Sequence, residues 1–201
     1  MTNANSSTPW PLRLVCEADI PALESLIPLS VRGLQASHYS QTQMNAALGS
    51  VFGVDRQLMS DGTYFIAEER GTIVGCGGWS RRRSLYGSDS NRSGEDELLD
   101  PQHDAARVRA FLVHPDWARR GIGRSIMMAC EQAIVEAGFR MVEIVATLVG
   151  EPLYAAFGYV VVQRDDRSDF PSTGFAGNEA VEQFTHQSCE DLAGKSLHLV
   201  A

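Results

Sequence analysis

The most constraining stretch of this 201-residue chain is a strand-like run that breaks into a Gly-x-Gly turn and then an amphipathic helix. Residues 106–113 (ARVRAFLV) read as the strand. Residues 121–137 place Ile122, Ile126, Ala129, Cys130, Ala133, Ile134 and Ala137 at three- and four-residue spacing, which predicts a helix with one apolar face. Gly138 ends it. Gly121 and Gly123 let the backbone approach a ligand closely, and the first amides of the helix point outward without helical partners. Such a helix start attracts an anion, its dipole adding about 0.3–1 kcal/mol. Arg119, Arg120 and Arg124 crowd the same point in a chain whose net charge is −8. A polyphosphate is the guest these features suit.

Two common nucleotide sites fail on spacing. A phosphate loop of the NTPase kind needs Gly-Lys followed by Ser or Thr, which the turn at Gly121–Ser125 lacks. A dinucleotide turn needs a third small residue where Ile126 stands. An ordinary helix start with solvated arginines is the plainer reading of the spacing alone.

Around this stretch the chain reads as one mixed α/β domain over residues 10–201, after a disordered segment 1–9. Residues 11–16 alternate like a strand. Asp19 and Pro21 open a helix reaching Leu34, which Pro28 is expected to break or kink. A second helix covers 41–48, capped near Tyr39-Ser40. Strands 63–68 and 72–79 form a hairpin through Glu69-Arg70-Gly71. Residues 84–104 are polar and acidic and read as a long exposed loop. Strand 141–147, helix 151–157, strand 159–163 and a last strand at 180–185 complete the order.

Composition narrows the function classes. An acidic total argues against a duplex nucleic-acid partner and suits a cationic acceptor such as an amine. The four cysteines form no C-x-x-C pair and the five histidines have no ligand spacing, so no metal is expected. With no signal-peptide layout and no apolar run of membrane length, a cytoplasmic protein without a membrane partner is expected.

The hexad Ala118-Arg119-Arg120-Gly121-Ile122-Gly123 follows Val113-His114-Pro115 and precedes Pro152-Leu153-Tyr154 and Phe157-Gly158-Tyr159. In that order these segments resemble the coenzyme A-binding core of the GNAT superfamily of N-acetyltransferases, whose hallmark is Q/R-x-x-G-x-G/A. Ala118 stands where the family has Gln or Arg. The resemblance implies a GNAT-like fold, with a central mixed, largely antiparallel sheet flanked by helices. It implies acetyl-CoA as co-substrate, an amine acceptor, direct attack in a ternary complex, and a homodimer. By resemblance, Leu112 and Val113 pair with the pantetheine arm and the Val113 N–H polarises the thioester carbonyl. The pyrophosphate falls to Ala118, Arg119, Arg120, Gly121, Ile122, Gly123, Arg124 and Ser125, and Tyr154 protonates the departing thiolate.

Elementary acidities limit that chemistry. A thiol titrates near ~8.5 and a phenol near ~10, so full proton transfer from tyrosine is uphill by about 2 kcal/mol in water. An alkylammonium of pKa around 10.4 costs roughly 4.6 kcal/mol to deprotonate at pH 7, which calls for a base. Glu68, Glu69, His103, Asp104 and His114 are candidates, each equally readable as a surface residue. Arg81-Arg82-Arg83 reads as a solvated strand end. Tyr39, Ser40, residues 41–48 and Trp79 are candidates for the acceptor pocket, with plain core the other reading of Trp79. The missing acidic residue in 106–113 leaves a second function open, a non-catalytic acyl-CoA sensor that keeps the pyrophosphate cradle.

Overall fold

The computed structural model describes residues 10–84, 96–165 and 194–200. Seven strands form one sheet: β1 (Leu12–Leu14), β2 (Tyr64–Glu69), β3 (Thr72–Ser80), β4 (Ala106–Val113), β5 (Met141–Thr147), β6 (Val160–Asp165) and β7 (Gly194–Val200). Their spatial order is β1-β2-β3-β4-β5-β7-β6. The first four strands are antiparallel neighbours, and the β4–β5, β5–β7 and β7–β6 pairings are parallel. Arg70 and Gly71 both take positive φ (50° and 81°), the turn geometry that matches the twist of the β2–β3 hairpin.

Helices α1 (Ile20–Leu34), α2 (Gln41–Ala47) and α3 (Arg56–Ser60) share one buried cluster, with Leu23, Ile27, Val31, Met44 and Leu58 packed toward Tyr64, Ile66 and Cys76. The second cluster joins α4 (Ile122–Glu136) and Tyr154 of α5 (Glu151–Ala156) to Val74, Trp79, Val108, Ile144, Leu197 and Leu199. The sheet is thus covered on both faces, as its parallel half requires.

Pro28 does not break α1, which runs continuously past it. The ring deletes one backbone hydrogen bond, but Leu23, Leu26, Ile27, Ser30 and Val31 on either side of it are all buried. Tertiary burial on both sides outweighs one lost bond. Ser40 caps α2 with a full capping box, its side chain accepting from the Gln43 N–H. The five-residue α3 was not anticipated. Asp55 caps it by accepting the N–H groups of Gln57 and Leu58, each at 3.1 Å. The expected strand at 180–185 lies outside the described residues, and the last described strand is β7. Of the 84–104 loop, residues 85–95 lie outside the description. Its two ends are tied together by Arg83 N–H to Glu97 O and Leu99 N–H to Arg81 O. The expected disordered segment 1–9 also lies outside it. No helix among the described residues is long and apolar enough to cross a membrane.

The glycines of β3 set how closely the layers approach. A methyl group on Gly77 would stand 2.7 Å from the Phe111 ring and 2.8 Å from Ile126 Cγ2. One on Gly78 would stand 2.6 Å from the Thr63 carbonyl oxygen, a backbone atom that cannot swing aside. Gly78→Ala is therefore expected to destabilise the fold by about 1–3 kcal/mol, lowering the melting temperature in calorimetry by about 3–10 °C.

Candidate active site

A cavity of about 510 Å³ opens where β4 and β5 part company. The two strands are paired only from Ala106–Val142 to Val108–Ile144. Beyond that point Ala110 takes a left-handed backbone (φ 60°), and the β3–β4 register slips between Cys76 and Gly78. This β-bulge bends β4 away from its parallel neighbour. One wall of the resulting wedge is residues 108–113, and the opposite wall is residues 144–147.

At the wide end the wedge meets the start of α4. Gly121 is the N-cap with φ 86°, and Arg119 before it also has positive φ (63°). Alternating left-handed residues turn successive amides to one side, which makes an anion-binding concavity. Ala118, Arg119, Gly121, Ile122, Gly123 and Arg124 all line the cavity, as do Leu112 and Val113. Arg120 and Ser125 do not line it. The Arg120 guanidinium lies over the Trp117 ring at 4.7 Å, and the Ser125 hydroxyl accepts the Trp10 N–H at 2.9 Å. Trp10 also donates its indole N–H to the Arg120 carbonyl (2.8 Å) and meets the Trp117 ring edge-on. The turn is thus clamped from outside by the start of the described chain. Arg124 lies over Phe157 at 5.5 Å, a cation–π contact that keeps its charge beside the helix start.

Tyr154 lines the cavity from α5 and is 5% exposed. Its ring is wedged edge-on between Phe111 and Tyr159, both at 6.1 Å. Gly150 leaves room for it, because a methyl there would lie 2.7 Å from Tyr154 Cε2. Burial, with a smaller contribution from the nearby Cys130 thiol, pushes its phenol well above the ordinary tyrosine value. Tyr154 is therefore a hydrogen-bond donor at every physiological pH.

The Val113 amide has a partner that the sequence did not reveal. His114 N–H bonds back to Val74 on β3, so alternation turns the Val113 N–H to the other edge of the strand. There it donates to Ser30 Oγ of α1 at 3.1 Å. Ser30, Leu34, Gln35 and residues 51–53 form the remaining wall. Tyr39 and Ser40 are not part of it. Tyr39 is buried and its hydroxyl accepts the Leu148 N–H at 3.1 Å, fixing the end of β5. Trp79 is core, packed edge-on against Phe139.

None of the five candidate bases lines the cavity. Glu68 is paired with Arg13 (2.9 Å) at the far edge of the sheet, and His103 with Asp100 (2.7 Å) on the surface. Asp104 accepts the Asp100 N–H, and His114 Nδ1 accepts that of Asp116. Glu69 lies in β2 beside Arg70 at 3.5 Å. Asp55 touches the lining residue Arg109, but it is fully buried, bound to Arg109 Nε at 2.8 Å while capping α3. Among the described residues no cluster of three or more His, Cys, Asp or Glu is placed to hold a metal ion.

The family model described as the acetyltransferase (GNAT) domain matches residues 60–161, half of the chain, and so spans the hairpin, the bulge, the Gly121 turn and Tyr154. The chain belongs to the GNAT acetyltransferase family. It is an acetyltransferase with acetyl-CoA as its acetyl donor. The fold is shared with a GCN5-related N-acetyltransferase from Rhodopseudomonas palustris (TM-score 0.58, 24% identity, 81% of this chain and 88% of that one). It is shared also with PaiA N-acetyltransferase from Thermoplasma acidophilum, solved in complex with coenzyme A (TM-score 0.54, 14% identity, 75% and 89%). A GCN5-related N-acetyltransferase from Ralstonia eutropha JMP134 superposes with TM-score 0.50 at 20% identity, over 83% and 99%. No curated protein matches the chain.

In this acetyltransferase the left-handed turn at Gly121 is the feature most exposed to mutation. Gly121→Ala forces an L-residue to φ 86° and costs about 1–2 kcal/mol, which the loop relieves by turning its amides. Calorimetric titration is expected to show acetyl-CoA affinity reduced about tenfold.

Proposed function

We propose that this acetyltransferase moves the acetyl group to an amine of a small molecule or peptide by direct attack within a ternary complex. The observation that supports this best is the continuity of the wedge. One cavity is lined by Gly121 and Gly123 at the helix start, by both parted strands and by Tyr154. These are the groups that acetyl-CoA calls for: a helix start for the pyrophosphate, a strand edge for the pantetheine arm and a proton donor for the thioester.

In this reading the amides of residues 118–125 hold the pyrophosphate, with Arg119 and Arg124 adding charge. Leu112 and Val113 border the pantetheine arm. Nitrogen attacks the carbonyl carbon, the carbonyl electrons move to oxygen, and they return as the carbon–sulfur bond breaks. The sulfur leaves toward Tyr154. The raised phenol makes complete early proton transfer costly, so Tyr154 acts by hydrogen bonding that becomes transfer only as sulfur takes up charge.

Tyr154→Phe is expected to lower kcat by about 10²–10⁴ with acetyl-CoA affinity unchanged, measured by thiol release across an amine panel and by calorimetry. An unchanged kcat with acetyl transfer rate-limiting removes Tyr154 from the mechanism.

The pH profile is a second expectation. A phenol raised above its ordinary ~10 stays protonated through the assay range, so Tyr154 supplies no falling alkaline limb below about pH 10. The described lining holds neither a carboxylate nor an imidazole to take the ammonium proton. The acidic limb of kcat/KM should therefore follow the acceptor's own pKa, shifting when one active amine is exchanged for another of different pKa.

A further inference from the structure

We infer that Trp10 is a positioning residue for the acetyl donor: its indole N–H holds the Arg120 carbonyl outward and thereby aims the Gly121 N–H at the pyrophosphate. This rests on the proposed seating of the pyrophosphate on the amides of residues 118–125, and it extends the donor site to a residue that lies before β1.

Trp10 holds the turn at three points. Its indole N–H donates to the Arg120 carbonyl at 2.8 Å, just before Gly121. Its backbone N–H donates to Ser125 Oγ at 2.9 Å, in the first turn of α4 and so just after Gly121. Its ring meets that of Trp117 edge-on, with centroids 5.8 Å apart. The three partners bracket Gly121 along the chain, while Trp10 itself stands outside the cavity lining.

The Arg120–Gly121 peptide is one planar unit, and in the trans form its N–H points opposite to its C=O. Trp10 draws the carbonyl to the outside of the turn. The Gly121 N–H is therefore turned the other way, toward the cavity that Gly121 lines. That N–H forms no hydrogen bond among the described residues, which leaves it for a ligand. Gly121 also makes the plane easy to turn, since it stands at φ 86° and a glycine reaches negative φ about as readily. A flipped unit presents its carbonyl oxygen to the anion in place of the N–H. The bond that holds the plane is exposed, so a carbonyl freed from Trp10 takes a water and the fold loses little. What the turn loses is its aim.

The test uses the full chain and an active amine, and compares acetyl-CoA with S-acetylpantetheine, which carries the same thioester and no pyrophosphate. W10F keeps a ring against Trp117 and loses the indole N–H. It should raise KM for acetyl-CoA about three- to tenfold, the worth of one neutral hydrogen bond, with kcat unchanged at saturating donor. Its kcat/KM with S-acetylpantetheine should stay within about twofold of wild type, because that donor never meets the Gly121 N–H. Benzothienylalanine in place of Trp10, an isostere that lacks the N–H, should give the same split, and it decides the matter where W10F folds poorly. A variant that loses activity with both donors equally, or with neither, overturns the positioning role and leaves Trp10 as packing alone. A wild-type protein that uses the two donors with equal kcat/KM overturns the seating of the pyrophosphate as well.

Discussion

Ala110 holds a left-handed backbone in the middle of a strand, a conformation that costs an L-residue of order 1 kcal/mol or more and that survives only where the surroundings impose it. The surroundings do so from both sides. One residue earlier, Arg109 is buried and its Nε is bound at 2.8 Å by Asp55, which is itself fixed by capping α3; its guanidinium also reaches the Ser84 carbonyl. At the bulge, the Cys76 thiol reaches the Ala110 carbonyl at 3.6 Å and is in turn met by the Tyr64 hydroxyl at 3.4 Å. Burial raises both that thiol, to about 11, and the Tyr64 phenol, so both stay neutral and serve as weak tethers rather than reactive groups. Three residues on, Ser30 receives the Val113 amide.

The same bulge opens a cleft onto the start of α4, where an acidic protein gathers three arginines. Net charge acts at long range and is screened over about 8–10 Å, whereas a helix start reached through a cleft presents its amides at contact distance. Arg119, Arg120 and Arg124 raise the local potential, and two of them are steadied by aromatic faces. Trp10 and Trp117 add no charge. They hold the turn that aims the amides.

Legibility from sequence followed the kind of signal involved. The β4–turn–α4 unit and β5 were readable because periodicity, paired glycines and a terminal glycine all encode local backbone demands. The last strand was not. Its buried Leu197 and Leu199 alternate over a stretch too short to outrank the similar run at 180–185. α3 is five residues long and is announced only by Asp55. The bulge has no local mark at all, since Ala110 is an ordinary residue in ARVRAFLV. Within the site, the glycines, arginines and Tyr154 were named, and all but Arg120 and Ser125 border the cavity. Ser30 was invisible because it lies on the buried face of a helix and its partner is 83 positions away. The wall at residues 51–53 carries neither charge nor period.

The placing of β7 between β5 and β6 has a consequence for how the molecule comes into being. Strands β5 and β6 are not neighbours in the sheet: β5 bonds β4 on one edge and β7 on the other, and among the described strands β6 bonds β7 alone. During synthesis the N-terminal half of the sheet can zip as successive hairpins, while β5 stands with one edge bare until residues 194–200 emerge. Lys195 then locks the insertion, its Nζ bound to Glu131 of α4 at 2.7 Å and to the Phe157 carbonyl behind α5 at 3.0 Å. The short helix that carries Tyr154 thus gains an anchor from β7, beside its packing on Phe111 and Tyr159. Until β7 inserts, the free edge of β5 presents unpaired backbone groups to any other strand, so the chain is open to edge-to-edge association while it folds.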